Sequence, residues 1–579
     1  VPPTPDTATA GHGTGVPPAA AAGQTPDGPA GRKPAAASED PAGAPGRASV
    51  PGPRRLAAAA RRHAPRSALA ALAGGALAAA FPPLGWWPLS LLAVAALALL
   101  TRGRTARQGA WTGFAMGLPF FVGLLQWLRV IGWDAVLGLS VIQALFFVPL
   151  GAGLAAVSRL RPWPLWGACL WVAEEWARDR VPLGGFPWGR LAFANTSTPF
   201  TPLAALGGAP LVTFAVALSG GLLAAAGLAL WRLRRRPAAV PPRTAVPRAL
   251  VPAGLAAAVT LAGQAVPVPT DADDTVRIAV VQGNVQQPGM DFLGRPMLIL
   301  SNHVEATLGL AEDIDAGRTE RPDLVIWPEN ASDLDPYRDP AARAAIEEAV
   351  RAVGVPVLVG ALVDHPTKEG YVENQGIVWD PQTGPGDSYT KQHPVPFGEY
   401  VPFREQLSKV ISRLERVPRD FWPGDHSGVL DVGPARLGDV ICFEVAYDGI
   451  VRDTVNDGAR ALVVQTNNAT YGHTGQPEQQ LAMSSLRAVE HGRAIVTAAP
   501  SGISAIVAPD GTVLQRTEEF TQDVLTGELP LRDGRTPADR VGAAPEWAMA
   551  VVGLLAWAAV AWRTRRAARR DTAAQDSPA

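Results

Sequence analysis

Cysteine and lysine are what this 579-residue chain has least of. Its two cysteines, Cys169 and Cys442, lie far apart, one in an apolar run and one in a polar stretch, so no disulfide framework can be drawn. There is no CxxC, no Cys/His pair at zinc spacing and no HExxH motif, which removes the usual sequence signatures of a zinc site. A basic surplus is also missing. The formal net charge is −1, so nucleic acid has no bulk electrostatic claim on the chain. Lys33, Lys368, Lys391 and Lys409 are the only four lysines, and arginine supplies the remaining positive charge. A lysine inside a polar motif is therefore a pointed exception, because a compact ammonium does what a planar guanidinium cannot. No repeat of 20 to 50 residues is evident, and the opening stretch lacks the apolar core of a signal peptide behind a basic start.

Apolar residues are plentiful, 47% against 18% charged, and they crowd before residue 270 and again near 550. The length exceeds one compact domain. Residues 1–60, rich in Pro, Ala, Gly and Thr without a hydrophobic period, read as a disordered cytoplasmic tail. Apolar runs near 67–81, 86–101, 108–127, 134–157, 163–177, 204–231 and 249–267 predict a seven-helix membrane region over 65–268. A further run at 546–562 predicts an eighth transmembrane helix, followed by a basic tail over 563–579. Tryptophans such as Trp86, Trp87, Trp127 and Trp188 sit near span ends, as in an interfacial belt. Alternate loops are basic: Arg54–Arg66, Arg102–Arg107, Arg159 and Arg161, Arg232–Arg236, and Arg563–Arg570. The positive-inside rule makes that side cytoplasmic. Parity then expects 274–530 outside the cytoplasm and both termini within it.

The 274–530 segment alternates β-branched runs with helical stretches, which predicts a layered α/β domain. Strands are expected at Thr275–Val281, Leu324–Trp327, Val355–Leu362, Gly376–Trp379, Asp439–Cys442, Ala461–Thr466, Ala494–Thr497 and Ser504–Ala508. Helices are expected at 295–314, 340–353, 446–458 and 477–491.

Three segments at predicted strand ends carry chemistry: Leu324 to Glu329, Tyr389 to Phe403, and Gly438 to Glu444. Strand ends are where α/β folds build sites. A thiolate is a strong nucleophile, but a thiol needs activation. A carboxylate can take its proton. The oxyanion formed on a carbonyl then needs an ammonium or N–H donors, such as the backbone N–H of Phe443. Taken singly, each residue has a blander reading. Cys442 reads as a core thiol, Glu329 as a helix-start acid, Lys391 as a loop lysine, and Glu399 and Glu444 as solvated acids. His393 and His473 read as polar loop residues, and Cys169 as packing. The joint pattern carries the argument.

That pattern, Trp327-Pro-Glu329, Lys391 ahead of Pro396-Phe-Gly-Glu399-Tyr-Val-Pro402, and Ile441-Cys442-Phe-Glu444, resembles the Glu–Lys–Cys set of the carbon–nitrogen hydrolase (nitrilase) superfamily. With the membrane spans it is more specifically similar to the bacterial apolipoprotein N-acyltransferase family. Val281-Gln-Gly-Asn284, Gly185-Phe-Pro-Trp188, Arg487-Ala-Val-Glu490 and Ser501-Gly-Ile-Ser504 resemble further family segments. The resemblance covers roughly 67–562.

It implies a multi-domain protein: an all-α transmembrane bundle of about eight helices carrying an α-β-β-α sandwich, in the bacterial cell membrane. Glu329 would be the general base, Cys442 the nucleophile and Lys391 the oxyanion stabiliser, with Glu399 and Glu444 in support. A phospholipid would acylate Cys442, and the amine of a diacylglyceryl-cysteine lipoprotein would take the chain. The resemblance implies no metal or organic cofactor. Two competing readings are a membrane-anchored amidase, with water as acceptor, and a non-catalytic scaffold for a polyprenol-sugar transferase. Apolar loops at Pro394–Phe403 and Phe421–Trp422 are expected to form a lid dipping toward the bilayer. Two departures stand out: Asn467-Asn468-Ala-Thr470-Tyr471 where the family often has Asn-Asp-Ala/Ser-Trp-Phe, and Phe443 where Tyr is common.

Overall fold

Small residues and prolines set the geometry of the first part of the chain. The computed structural model describes residues 53–235, 242–285, 296–409, 414–415 and 417–575. Seven helices precede the first strand: α1 (Pro53–Ala79), α2 (Pro88–Thr101), α3 (Ala106–Leu124), α4 (Trp133–Val157), α5 (Trp163–Arg178), α6 (Ala204–Arg235) and α7 (Pro242–Leu261). Thr105 caps α3 by accepting from the Gln108 N–H, and the Gln108 side chain reaches back to Thr105 N. Helix α6 bends at Gly207–Gly208, just ahead of Pro210, where the backbone leaves the helical range. Helices α3 and α4 touch through Gly109, Gly113 and Gly117 on one side and Ala144, Phe147 and Gly151 on the other. Glycines at i, i+4 and i+8 share one helix face and let the backbones close up.

The α/β part begins with β1 (Asp274–Gln282), α8 (Pro296–Asp315), β2 (Leu324–Ile326), α9 (Pro340–Val353), β3 (Val357–Asp364), β4 (Tyr371–Asp380) and β5 (Gly384–Thr390). It continues with α10 (Arg404–Leu407), β6 (Asp420–Phe421), β7 (Val429–Val432), β8 (Ala435–Ile441), α11 (Asp448–Asn456) and β9 (Ala461–Gln465). It ends with α12 (Gln476–His491), β10 (Ile495–Ala498), β11 (Ala505–Val507), β12 (Val513–Arg516), β13 (Asp523–Leu531) and α13 (Pro537–Val541). Helix α14 (Ala544–Gln575) follows and runs through the basic segment expected as a tail.

Two mixed sheets result. One has the order β13-β1-β2-β3-β4-β5, with β6 added on β4, and the other β12-β11-β10-β9-β8-β7. They face each other through Ile278, Val280, Ile326 and Leu358 on one side and Leu437, Ile441, Val463 and Val496 on the other. Alternate residues of the same strands, such as Val281, Val325, Trp327 and Val359, pack outward on α8 and α9. Both faces of these strands are therefore covered, which explains their nearly unbroken apolar runs. Helix α9 shows the local logic. Asp339 accepts from the N–H groups of Ala341 and Ala342, Pro340 opens the helix, and Gly354 closes it in the left-handed region. Its residues Ala342, Ile346, Ala349, Val350 and Val353 form the buried stripe. On the far side of the second sheet, α11 and α12 join an apolar core that continues into α2–α6. The layers are α-β-β-α.

Several strands differ from expectation. β5, β6, β7, β12 and β13 carry no clear alternation in the sequence, and Cys442 lies just past β8 rather than inside it. Helices stand at all eight expected apolar stretches. Among the described residues, three are long and apolar enough to cross a membrane: Trp133–Val157, Thr201–Arg235 and Ala544–Arg570. Helix α2, with 14 residues, spans only about 21 Å of a hydrocarbon layer of about 30 Å. Helix length alone therefore does not establish eight spans. The tail expected over 1–60 lies outside the described residues as far as Gly52.

A Cβ on Gly113 would sit 1.9 Å from the Phe147 carbonyl oxygen, whereas one on Gly138 would meet nothing within 4 Å. Gly113→Val should therefore destabilise the protein by about 1–3 kcal/mol or more, read as a fall in the midpoint of unfolding in detergent. Gly138→Ala should leave it nearly unchanged. Equal midpoints would mean that α3 and α4 do not approach this closely.

Candidate active site

The three segments singled out in the sequence converge. Glu329 follows β2, Lys391 follows β5, and Cys442 follows β8, so each leaves the end of a strand. Gly360 on β3 makes room for the first, since a Cβ there would lie 2.1 Å from the Pro328 oxygen and 2.8 Å from Glu329 Cα. Glu329 and Lys391 are buried, at 3% and 1% exposure. Lys391 Nζ donates to Glu329 Oε1 at 3.1 Å and to Glu399 Oε1 at 2.7 Å. Glu329 Oε1 also accepts from Asn374 Nδ2 at 2.7 Å, and Glu399 Oε2 from the Val395 N–H at 2.7 Å. Burial opposes the ammonium, but the two carboxylates outweigh it and hold the Lys391 pKa well above the ordinary lysine value.

Cys442 has φ of 57°, in the left-handed region that side chains other than glycine seldom occupy. It opens a 3₁₀ turn, Cys442–Ala446, whose first N–H groups, Phe443's among them, find no partner inside the turn. Burial pushes the Cys442 thiol up to about 12, with the Glu329 charge adding to the rise and Lys391 opposing it. The free thiol is therefore protonated at neutral pH, and acting as a nucleophile would need a base to take its proton.

Glu444 ties the turn to the lysine segment. Its carboxylate accepts from the N–H groups of Gln392 at 2.6 Å, His393 at 3.0 Å and Ile441 at 2.8 Å, and from the Tyr389 hydroxyl at 2.9 Å. Arg487 holds the other end of the turn, donating to the Val445 oxygen at 2.8 Å and the Ala446 oxygen at 2.9 Å. The same guanidinium pairs with Asp448 at 2.6 Å, and Asp448 pairs at 2.6 Å with Arg190 from the loop after α5. Phe443 packs on Phe186 and Trp188, with ring centroids 5.5 and 5.8 Å away.

The remaining expectations fall variously. His393 packs on Tyr447, and His473 is exposed beside Glu519 and Phe520. Cys169 is buried in α5 under Gly553 of α14. Of the expected lid aromatics, Phe397 and Phe403 are exposed. Phe421 instead belongs to β6, and Trp422 is gripped by Lys368, Tyr371 and His365, so neither is a free lid residue. Sequence reasoning passed over Asn374, which lies on β4 with no apolar or motif signal, and named Tyr389 only as the first residue of the Lys391 segment. No group of three or more His, Cys, Asp or Glu among the described residues is arranged to hold a metal ion.

Comparison with known proteins follows the same division of the chain. Residues 73–222 match the apolipoprotein N-acyltransferase N-terminal domain, and residues 277–537 match the carbon-nitrogen hydrolase domain. The apolipoprotein N-acyltransferase of Mycolicibacterium smegmatis is 41% identical over 85% of this chain and 84% of its own length. The chain belongs to the apolipoprotein N-acyltransferase family. The member from Azotobacter vinelandii is 31% identical over 87% of this chain and 96% of its own. A solved amidase from Nesterenkonia sp. aligns with a TM-score of 0.34 at 21% identity, over 47% of this chain and 94% of its own.

Glu444→Ala would leave four donors without their acceptor, at a cost of at least about 2 kcal/mol. Glu444→Gln, which keeps an oxygen, should fall between it and the parent in chemical denaturation. Stability unchanged by the alanine would show that Glu444 does not hold the turn.

Proposed function

We propose that this chain moves a fatty acyl group from a phospholipid, through a thioester on Cys442, to the N-terminal amine of a diacylglyceryl-cysteine lipoprotein. The observation that carries the reading is the convergence of a buried carboxylate, a buried ammonium and a strained, half-buried thiol at three strand ends. Membership of the N-acyltransferase family supports the lipoprotein acceptor. Glu329 takes the S–H proton as the sulfur attacks the ester carbonyl. The Lys391 ammonium and the Phe443 N–H hold the oxyanion. Collapse breaks the ester bond, and the departing alkoxide takes the proton from Glu329. The lipoprotein amine, arriving neutral, then attacks the thioester. Glu329 accepts the amine's proton and returns it to the departing sulfur.

The same reading places the chain in the bacterial cell membrane as a multi-pass protein. Residues 65–268 would form a membrane region of seven helices, with the eighth at 546–562, and both termini would be cytoplasmic. The catalytic domain, 274–530, would lie on the extracytoplasmic face. A site against the bilayer suits the substrate. Drawing a chain of ~16 carbons out of hydrocarbon costs roughly 12 kcal/mol, and the apolar core shared by α2–α6 and α12 supports a site seated directly on the bundle.

The reading is tested by incubating the purified protein with a phospholipid carrying a tagged acyl chain and locating the tag by peptide mass spectrometry. A hydroxylamine-labile adduct on Cys442, absent in Cys442→Ala and passed to a diacylglyceryl peptide, is expected. Release to water alone would favour an amidase, and no adduct on folded protein would remove the thioester. Glu329→Gln separates two roles of one residue. Loss of its charge should lower the thiol pKa, seen as faster alkylation at mildly alkaline pH. Loss of the base should slow acylation by about 10²–10⁴-fold. Acylation unchanged in Glu329→Gln would contradict Glu329 as the base, and alkylation not speeded would contradict its charge acting on the thiol.

A further inference from the structure

Glu329, Lys391 and Phe443 do not exhaust the polar groups at the sulfur. Thr466, immediately after β9 and 1% exposed, places its hydroxyl 3.3 Å from Cys442 Sγ and 3.0 Å from Gln480 Oε1. Asn468 Nδ2 lies 3.4 Å from the same hydroxyl, 2.7 Å from Gln480 Oε1 and 2.8 Å from Gln476 Oε1. Gln476 Nε2 donates to Gln480 Oε1 at 3.2 Å. Asn468 and Gln480 are themselves buried.

A hydroxyl has one proton and two lone pairs. The two Asn468 protons are taken by Gln480 and Gln476 at 2.7 and 2.8 Å, and the Thr466 hydroxyl proton has two acceptors in reach, Gln480 Oε1 and the sulfur. Gln480 Oε1 keeps two other donors, from Asn468 and Gln476, and does not depend on Thr466. The sulfur is in the opposite position. Lys391 directs two of its three protons to Glu329 and Glu399. A half-buried thiolate short of donors is costly, and a hydrogen bond to the charged form stabilises that form selectively.

We propose that the Thr466 hydroxyl is a further catalytic group, donating its hydrogen bond to the Cys442 thiolate whenever the sulfur is charged. The proposal rests on Cys442 being the nucleophile. In the resting thiol, Thr466 donates to Gln480 and accepts from S–H. When the S–H proton passes to Glu329, the Thr466 O–H turns from Gln480 to the sulfur and keeps its own proton. Once the sulfur is a thioester it is a poor acceptor, and the hydroxyl returns to Gln480. The thiolate reappears as the leaving group when the amine attacks, so the same donor serves both half-reactions. The departure at Asn468 acquires a sense here, because an amide N–H₂ facing the Thr466 oxygen does not compete for its proton as a carboxylate would.

Other ionisable groups bear on the same sulfur: Glu329 after β2, Lys391 and Glu399 after β5, and Tyr471 after β9. Glu444 lies on the sulfur's own turn. The test therefore changes Thr466 alone, in the purified full-length protein. The rate of Cys442 alkylation by iodoacetamide is followed from neutral to strongly alkaline pH for the parent, Thr466→Val, Thr466→Ala, Thr466→Ser and Cys442→Ala. Acyl-enzyme formation and acyl transfer to a diacylglyceryl peptide are measured on the same samples. Valine and alanine should move the alkylation midpoint up by about one pH unit and slow both half-reactions about tenfold. Serine should restore all three. The alanine variant decides the matter should valine not fold. Parent-like profiles and rates in the variants lacking the hydroxyl, with Cys442→Ala inert, would overturn the role of Thr466 and leave the nucleophile standing. Acyl labelling that survives in Cys442→Ala would instead remove the nucleophile itself.

Discussion

An ammonium buried to 1% exposure governs the architecture of the site. A charge taken out of water must be compensated at close range, or the fold loses several kcal/mol. Lys391 is compensated by two carboxylates from different segments, so Glu329 and Glu399 must both be where they are. Their positions are fixed in turn by Asn374 on β4 and by the Val395 N–H, which folds the 391–403 loop back on itself. Lysine suits this place because its three protons sit at one point on a slim stem. An arginine fork would need five acceptors spread over a plane. The scarcity of lysine elsewhere in the chain made this one legible.

Legibility otherwise followed the apolar pattern. β1, β2, β3, β9 and β10 are buried on both faces, and their unbroken apolar runs exposed them and hence the residues at their ends. That is how Glu329, at the end of β2, was found, whereas Cys442 follows β8 and was picked out by its segment Gly438 to Glu444. β5 reads Gly-Pro-Gly-Asp-Ser-Tyr-Thr and is a strand only because β4 offers it a hydrogen-bonding edge. β12 is exposed along its whole length, so no core pattern could mark it. β13 pairs antiparallel with β1 along nine residues, a long-range partnership that its own sequence does not announce. The same limit applies to polar partners. Asn374 and Thr466 act through contacts with residues distant in sequence, and only the folded chain brings them together.

The charges around α5 form a continuous buried chain. Arg178 pairs with Glu174 at 3.0 Å and donates to the Phe186 and Trp188 oxygens, fixing the Gly-Phe-Pro-Trp loop. Arg190 stands within 3.5 Å of Glu175 and Asp179 and at 2.6 Å from Asp448. Asp448 is shared with Arg487, which holds the turn after Cys442. Buried ion pairs are weak evidence for stability in themselves, and their better-attested use is to fix one arrangement among several. Here the arrangement fixed is that of the Cys442 turn on the helical bundle.

That turn has to be held, because its first residue is strained. A left-handed side-chain-bearing residue costs about 1–3 kcal/mol, and left alone it would relax. Glu444 takes the Ile441 N–H just before Cys442, and Arg487 takes two carbonyls just after it, so the strained residue is clamped on both sides. A hydrogen bond to a charged group contributes about 1.5–3 kcal/mol, enough for these contacts to offset the strain. The strained backbone leaves the sulfur beside the Thr466 hydroxyl and near the charges of Glu329 and Lys391. A relaxed β-continuation at Cys442 would instead follow the alternation of β8, in which Ile441 faces the other sheet and Val440 the helical core, and send the thiol toward that helical core. The direction of the thiol at this position thus turns on one backbone angle, and two charged side chains, Glu444 and Arg487, maintain it.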